Sequence, residues 1–184
     1  MKRELDRRGF MKRIIGGGIA TGLVFPPSKA YGNSNEQFPE LTTTSSLNTY
    51  IPINQESAEH FLRRHGHFER LENLLPIFDR AGEDFNLDAR YLIGHFSEET
   101  GYGQSGEWRN RHNGFGIGSF DHNPNNALRF ESPEDGIYRG AQWIAENYIH
   151  DRRNTTTLEQ MHAVPYATNP RWASNIASIG RRFS

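Results

Sequence analysis

From Ser57 onward the apolar positions recur at spacings of three and four, the period of a helix with one buried face. Ala58, Phe61 and Leu62 form a short stripe, and Phe68, Leu71, Leu74, Leu75 and Phe78 form a longer one. Pro76 is expected to end or kink the helix that carries the longer stripe, because its ring clashes with the preceding turn. Asn86-Leu87-Asp88 reads as a turn, and Asp88 is a suitable N-cap for a helix from Ala89 to Glu99. Residues 100 to 127 lose the helical period and are rich in Gly and Asn, which predicts a small lobe of loops and short strands. Helical pattern resumes at Ser132, with Pro133 in the first helical position and Glu134 and Asp135 in the first turn. Ile137, Ala141, Ile144, Ala145 and Tyr148 then line one face, and a last segment after 166–170 carries Trp172, Ile176 and Ile179. The expected fold is mainly α, an α+β arrangement of a helical core with a small loop/β lobe.

The N-terminal part breaks this pattern twice. Residues 31–54 are rich in Asn, Ser, Thr, Gln and Pro with sparse apolar positions, and read as a loosely ordered linker or arm. Residues 1–30 read as a targeting segment. Arg7-Arg8-Gly9-Phe10-Met11-Lys12 is basic, Ile14 to Phe25 is Gly-rich and mildly apolar, and Ser28-Lys29-Ala30 offers small residues at a cleavage-site spacing. The paired arginines resemble a twin-arginine signal; an ordinary secretory signal or an uncleaved anchor is the alternative. The apolar stretch falls short of the ~20 residues that a membrane span needs, so an exported chain, periplasmic or secreted and with no span in its mature part, is expected. The folded domain then covers 55–184.

Charge follows from that division. The whole chain of 184 residues carries −1, and residues 1–30 hold seven basic and two acidic side chains, so the remainder carries −6. All three lysines (Lys2, Lys12, Lys29) lie in the first thirty residues. An acidic, lysine-free domain does not present the basic face that nucleic acid requires, and it excludes Schiff-base chemistry. No cysteine is present, which excludes disulfides, thiol nucleophiles and thiolate metal sites.

The chemistry concentrates in YLIGHFSEETGYGQSG, residues 91–106. Leu92, Phe96 and Glu99 share one helix face by spacing, whereas Glu98 falls with Tyr91 and His95 on another. Glu99 at the end of an apolar face is partly desolvated, which raises its pKa and suits it to act as a general acid. Gly101 and Gly103, without Cβ atoms, allow close approach beside it. A raised-pKa acid that protonates a leaving oxygen is the requirement of glycoside cleavage. The alternative is a solvated glutamate pair before a glycine cap.

The same segment, NLDARYLIGHFSEETGYGQS, resembles the helix of bacterial glucosaminidase-domain peptidoglycan hydrolases, which include the wall-opening domain of the flagellar rod cap. Glu99-Thr100-Gly101-Tyr102-Gly103 matches that family's helix end. His112-Asn113-Gly114-Phe115-Gly116-Ile117, Arg129-Phe130-Glu131-Ser132-Pro133-Glu134-Asp135 and Tyr166-Ala167-Thr168-Asn169-Pro170-Arg171-Trp172-Ala173 are similar to three further blocks, in the family's order. The resemblance covers about residues 71 to 180. It implies a lysozyme-like fold, cleavage of a β-1,4 bond beside N-acetylglucosamine in peptidoglycan glycan strands, Glu99 as general acid and Tyr166 as an active-site tyrosine. It implies no cofactor, and a monomer is expected. The family's longer hairpin after the Phe-Gly-Ile block, with its second acidic residue, has no counterpart. Asp121 and Glu131 are the only carboxylates between Ile117 and the next helix. Lytic transglycosylases share the fold and use one glutamate as acid and then base, so that reading stays open, as does a glycan-binding module without catalysis. Three roles remain equally open: remodelling of the cell's own wall, service to an envelope-spanning machine, and attack on competitors.

Tyr102, Gly103, Asn113, Phe115 and Trp172 are candidate substrate contacts, as aromatic faces stack on sugars and glycines admit them; core packing is the alternative for Phe115 and Trp172. His65-x-His67 lacks matching carboxylate or histidine spacing, so no metal is expected. Ser97 and Ser105 lack the Gly-x-Ser-x-Gly setting of a hydrolase nucleophile. The pairs Arg63-Arg64 and Arg152-Arg153 read as solvated faces able to meet peptide carboxylates of the wall.

Overall fold

A computed structural model describes residues 38–118, 127–150, 154–164 and 167–184. The helices are α1 (Gln55–Arg64), α2 (Phe68–Leu71), a 3-10 turn (Glu72–Leu74), α3 (Leu75–Phe85), α4 (Ala89–Thr100), α5 (Gly106–Arg111), α6 (Pro133–Ile144), α7 (Leu158–Ala163) and α8 (Trp172–Gly180). A single π turn, Ala145–Ile149, extends α6, and a 3-10 turn, Arg181–Phe183, follows α8. Among the described residues the one β feature is an isolated parallel bridge between Ile51 and Asp88. The mainly α expectation stands, whereas the strands expected within 100–127 do not appear in its described part. That stretch instead contains α5, a helix too short for a period to show. Among the described residues no helix is long and apolar enough to cross a membrane.

Local chemistry explains the boundaries. Asp88 caps α4 by accepting from the N–H groups of Arg90 and Tyr91, and Ser132 caps α6 by accepting from Asp135. Pro76 begins a helix rather than ending one. It occupies the first turn of α3, where the missing N–H has no partner to lose. The long stripe from Phe68 to Phe78 is accordingly divided among three short elements.

Helix α4 is the centre of the molecule. Every residue from Ala89 to Ser97 is buried, so the division into an apolar and a polar face does not hold. Its most extensive partner is α8, and the two backbones nearly touch. A Cβ on Gly94 would lie 2.8 Å from the carbonyl oxygen of Ile176, and one on Gly180 would lie 2.8 Å from that of Arg90. Glycine is required at both positions.

Residues 38–54 are not a loose linker. Leu41, Leu47 and Ile53 are fully buried in the core. The Ile53 N–H and the Tyr50 hydroxyl both donate to the buried carboxylate of Asp79, at 3.0 Å each. Arg90 is 1% exposed and ties the arm down. It pairs with Asp88 at 2.8 Å and donates from one nitrogen to the carbonyl of Pro39 (2.8 Å) and to Oγ of Ser184 (3.0 Å). Anchors six residues apart follow neither a helical nor a strand period, so the arm reads as polar coil although it packs as core. Leu47→Ala is therefore expected to cost about 2–5 kcal/mol in urea unfolding, against nearly nothing for a true linker position.

Candidate active site

Glu99 occupies the last turn of α4. Its Oε1 accepts a 2.9 Å hydrogen bond from the indole N–H of Trp172, the first residue of α8. His95, one turn earlier, brings Nε2 to 3.7 Å from the same oxygen. Beneath it the Tyr91 hydroxyl lies 3.1 Å from His95 Nδ1. A side-chain column Tyr91–His95–Glu99 thus runs along α4 at a spacing of four. The sequence reading places His95 with Glu98, and the structure corrects that pairing. Glu98 instead accepts from the amide of Asn175 at 2.8 Å.

The electrostatics follow from burial. Burial first, and the charge of Glu98 second, raise the Glu99 pKa, with the Trp172 hydrogen bond pulling it back. Full burial lowers His95 to about 3, so the imidazole is neutral at neutral pH and offers Glu99 no counter-charge. The Glu99 side chain keeps 29% exposure, enough for a substrate oxygen to reach it. On its other side lies the turn 113–117. A Cβ on Gly116, which adopts φ +65°, would sit 3.5 Å from Oε2 of Glu99.

Asn113 shapes that turn. Its side chain accepts from the Ile117 N–H (3.0 Å) and donates to the Ile117 carbonyl (2.8 Å), and it is 3% exposed. It supports the site without facing a ligand. Phe115 is also withdrawn from solvent, edge-on to His95 at 5.3 Å, and offers no face to a sugar. Trp172 is 2% exposed and serves the site through its N–H. Phe115 and Trp172 pack around His95 and Glu99, and Asn113 turns back on its own loop, so all three expected contacts are buried. Gly103 is likewise buried, facing Trp108. Tyr102 is half-buried with φ +57° and stacks on His67, 4.2 Å between centroids and 10° apart in plane. Glu131 is exposed, and its N–H donates to Asp135 at 3.3 Å. Asp121 and Tyr166 lie outside the described residues. The sequence reading missed Asn175 and the role of His95. The i, i+4 spacing of His95 and Glu99 was the available signal.

A mainly helical domain with one desolvated glutamate at the open end of its central helix is of the lysozyme-like class. Residues 75–184 match the Glucosaminidase family (mannosyl-glycoprotein endo-beta-N-acetylglucosaminidase), and the chain belongs to that family. A Streptococcus pneumoniae protein named for endo-beta-N-acetylglucosaminidase activity is 36% identical over 112 residues, 59% of this chain and 17% of that protein. The chain thus spans about a sixth of that relative's length. The crystal structure of S. aureus Autolysin E in complex with the muropeptide NAM-L-Ala-D-iGlu is similar at TM-score 0.63 and 26% identity, covering 78% of this chain and 72% of that one. A catalytic mutant of the same autolysin, with glutamate replaced by alanine and the disaccharide NAG-NAM bound, is similar at TM-score 0.63 and 25% identity, covering 78% and 72%.

Proposed function

We propose that the protein cleaves the β-1,4 bond beside N-acetylglucosamine in peptidoglycan, as an endo-β-N-acetylglucosaminidase with Glu99 as general acid. The observation that carries this reading is the placement of Glu99, a part-exposed carboxyl at the end of the buried helix α4, held by the Trp172 N–H at 2.9 Å beside a buried histidine, where burial raises its pKa. Burial keeps the proton on Glu99 at a pH where an ordinary glutamate has lost it, and the proton then passes to the glycosidic oxygen as the C–O bond breaks. The indole N–H holds the carboxyl in one orientation and stabilises the carboxylate that proton transfer leaves behind. The glycan ligands bound by Autolysin E support the substrate class.

Tyr166 positions the reacting sugar or water, and Asp121 and Glu131 are the candidates for a second carboxylate. Neither Asp121→Asn nor Glu131→Gln alone is expected to match the loss in Glu99→Gln when cleavage of wall sacculi is measured. A wall substrate is met outside the cytoplasm, and the basic then apolar sequence of residues 1–30 supports reading them as an export signal. Mass spectrometry of muropeptides released from sacculi tests the reading. Products ending in reducing GlcNAc are expected, 1,6-anhydro-MurNAc would instead make it a lytic transglycosylase, and no cleavage would reduce it to a binding module.

A further inference from the structure

Helix α8 carries a second stripe that leads away from the acid. Trp172, Asn175, Ile179 and Arg182 are spaced by three, four and three, so they succeed one another along one face. Trp172 touches Glu99, Asn175 touches Glu98, and Ile179 and Arg182 line a groove of about 460 Å³. Phe61, Arg64, His65 and Tyr102 form much of the remaining wall. At 1.5 Å per residue, the ten steps from Trp172 to Arg182 span ~15 Å.

The groove's chemistry is cationic and aromatic in a domain that is acidic as a whole. Arg64 and Arg182 are exposed, and neither has a hydrogen-bond or ion-pair partner among the described residues. Their neighbours Arg63 and Arg70 are engaged, the first over the ring of Phe68 at 3.5 Å and the second at 2.7 Å from His67 Nδ1. The positive surroundings are felt at His67, whose pKa is lowered by burial and then by Arg70 and His65. The charge of Glu98, beside the acid, reaches Tyr102 in the groove wall and repels an anion at that end. An anionic ligand is therefore drawn to the far end, where two guanidiniums offer forked donors.

We propose that this groove binds a carboxylate of the peptide stem attached to the wall glycan, with Arg64 and Arg182 as the anion-binding pair. The identity of the ligand rests on the glycan-cleavage reading; the preference for a carboxylate rests on the groove alone. A stem rooted on a sugar at the acid reaches Arg182 with about four to five extended residues, at ~3.3–3.6 Å each.

The test separates the two readings by measuring binding without turnover. Two soluble muropeptides with pentapeptide stems, long enough to reach the arginines, are titrated calorimetrically, one with free carboxylates and one with those carboxyls amidated. The full chain is expected to favour the free acid on the order of tenfold. Arg64→Ala with Arg182→Ala should abolish that preference without changing the thermal midpoint, since both side chains are exposed. Equal binding of the two probes by the unaltered protein, or a preference that survives in the double variant, would overturn the proposal. On glycan strands the double variant should raise KM for stem-bearing material with kcat unchanged, and leave strands stripped of their stems unaffected. A similar loss on stripped strands would place the arginines in glycan binding and sink the stem assignment. Failure of the unaltered protein to cleave either strand would remove the catalytic reading while leaving the calorimetric result in force.

Discussion

Glu99→Gln is expected to lower cleavage of wall sacculi by about 10²- to 10⁴-fold or more, with the fold intact. Glutamine fills the same space and can still accept from the Trp172 indole, so the loss reports the missing proton. The pKa of Glu99 is raised in the folded state. Its contribution to stability is therefore fully present below the ordinary glutamate range and is lost as pH rises through the folded value. Removing the carboxyl removes that loss, so at neutral pH the variant should unfold at equal or higher urea than the parent. Activity and stability moving in opposite directions is the signature of a strained functional group. Glu98→Gln, which keeps its contact with Asn175, should retain most activity. A dead Glu98 variant beside an active Glu99 variant would overturn the assignment.

Acid should destabilise the protein through His95. The imidazole is buried and neutral, with its pKa lowered from 6.5 to about 3. The unfolded chain takes up a proton as pH falls below 6.5, and the folded chain does so only near 3. Stability is thus complete above 6.5 and declines across that window, by at most ~5 kcal/mol at 1.36 kcal/mol per pH unit. His95→Gln costs stability at neutral pH by disturbing the Tyr91 contact, yet it should flatten the acid limb. Urea midpoints measured from pH 7 to pH 3 for both proteins would show this. Curves that run parallel would mean that His95 is not the group that takes the proton.

Signals that act over a few residues were legible in the sequence. Asp88 was readable as a cap and Pro133 as a helix start because each lies at the edge of a helical pattern, and Glu99 stood out because a carboxyl ends an apolar run. Misreadings arose where tertiary packing decided. Phe115 and Asn113 carry types found at sugar sites, yet α4 and α6 close over Phe115 and Asn113 turns inward to Ile117. Leu41, Leu47 and Ile53 follow no period because each fills a separate gap between helices. His95 was assigned to the wrong glutamate because the face of a helix buried on all sides cannot be inferred from where its apolar residues fall. The groove at Arg64 joins two segments more than a hundred residues apart, a proximity that only folding creates.

The pair of hydrogen bonds from Arg90 to Pro39 and Ser184 also sets an order of events. Arg90 lies on α4, but two of its acceptors are 51 and 94 residues away in sequence. Contacts so distant are slow to close, since chain entropy opposes them until they form. The guanidinium cannot be sealed, nor Glu99 receive its indole, until residues 172 to 184 have left the ribosome. A nascent chain halted before them would carry a charged, half-solvated α4 and no assembled acid. During synthesis, the proposed wall-cutting activity would thus stay silent until α8 docks.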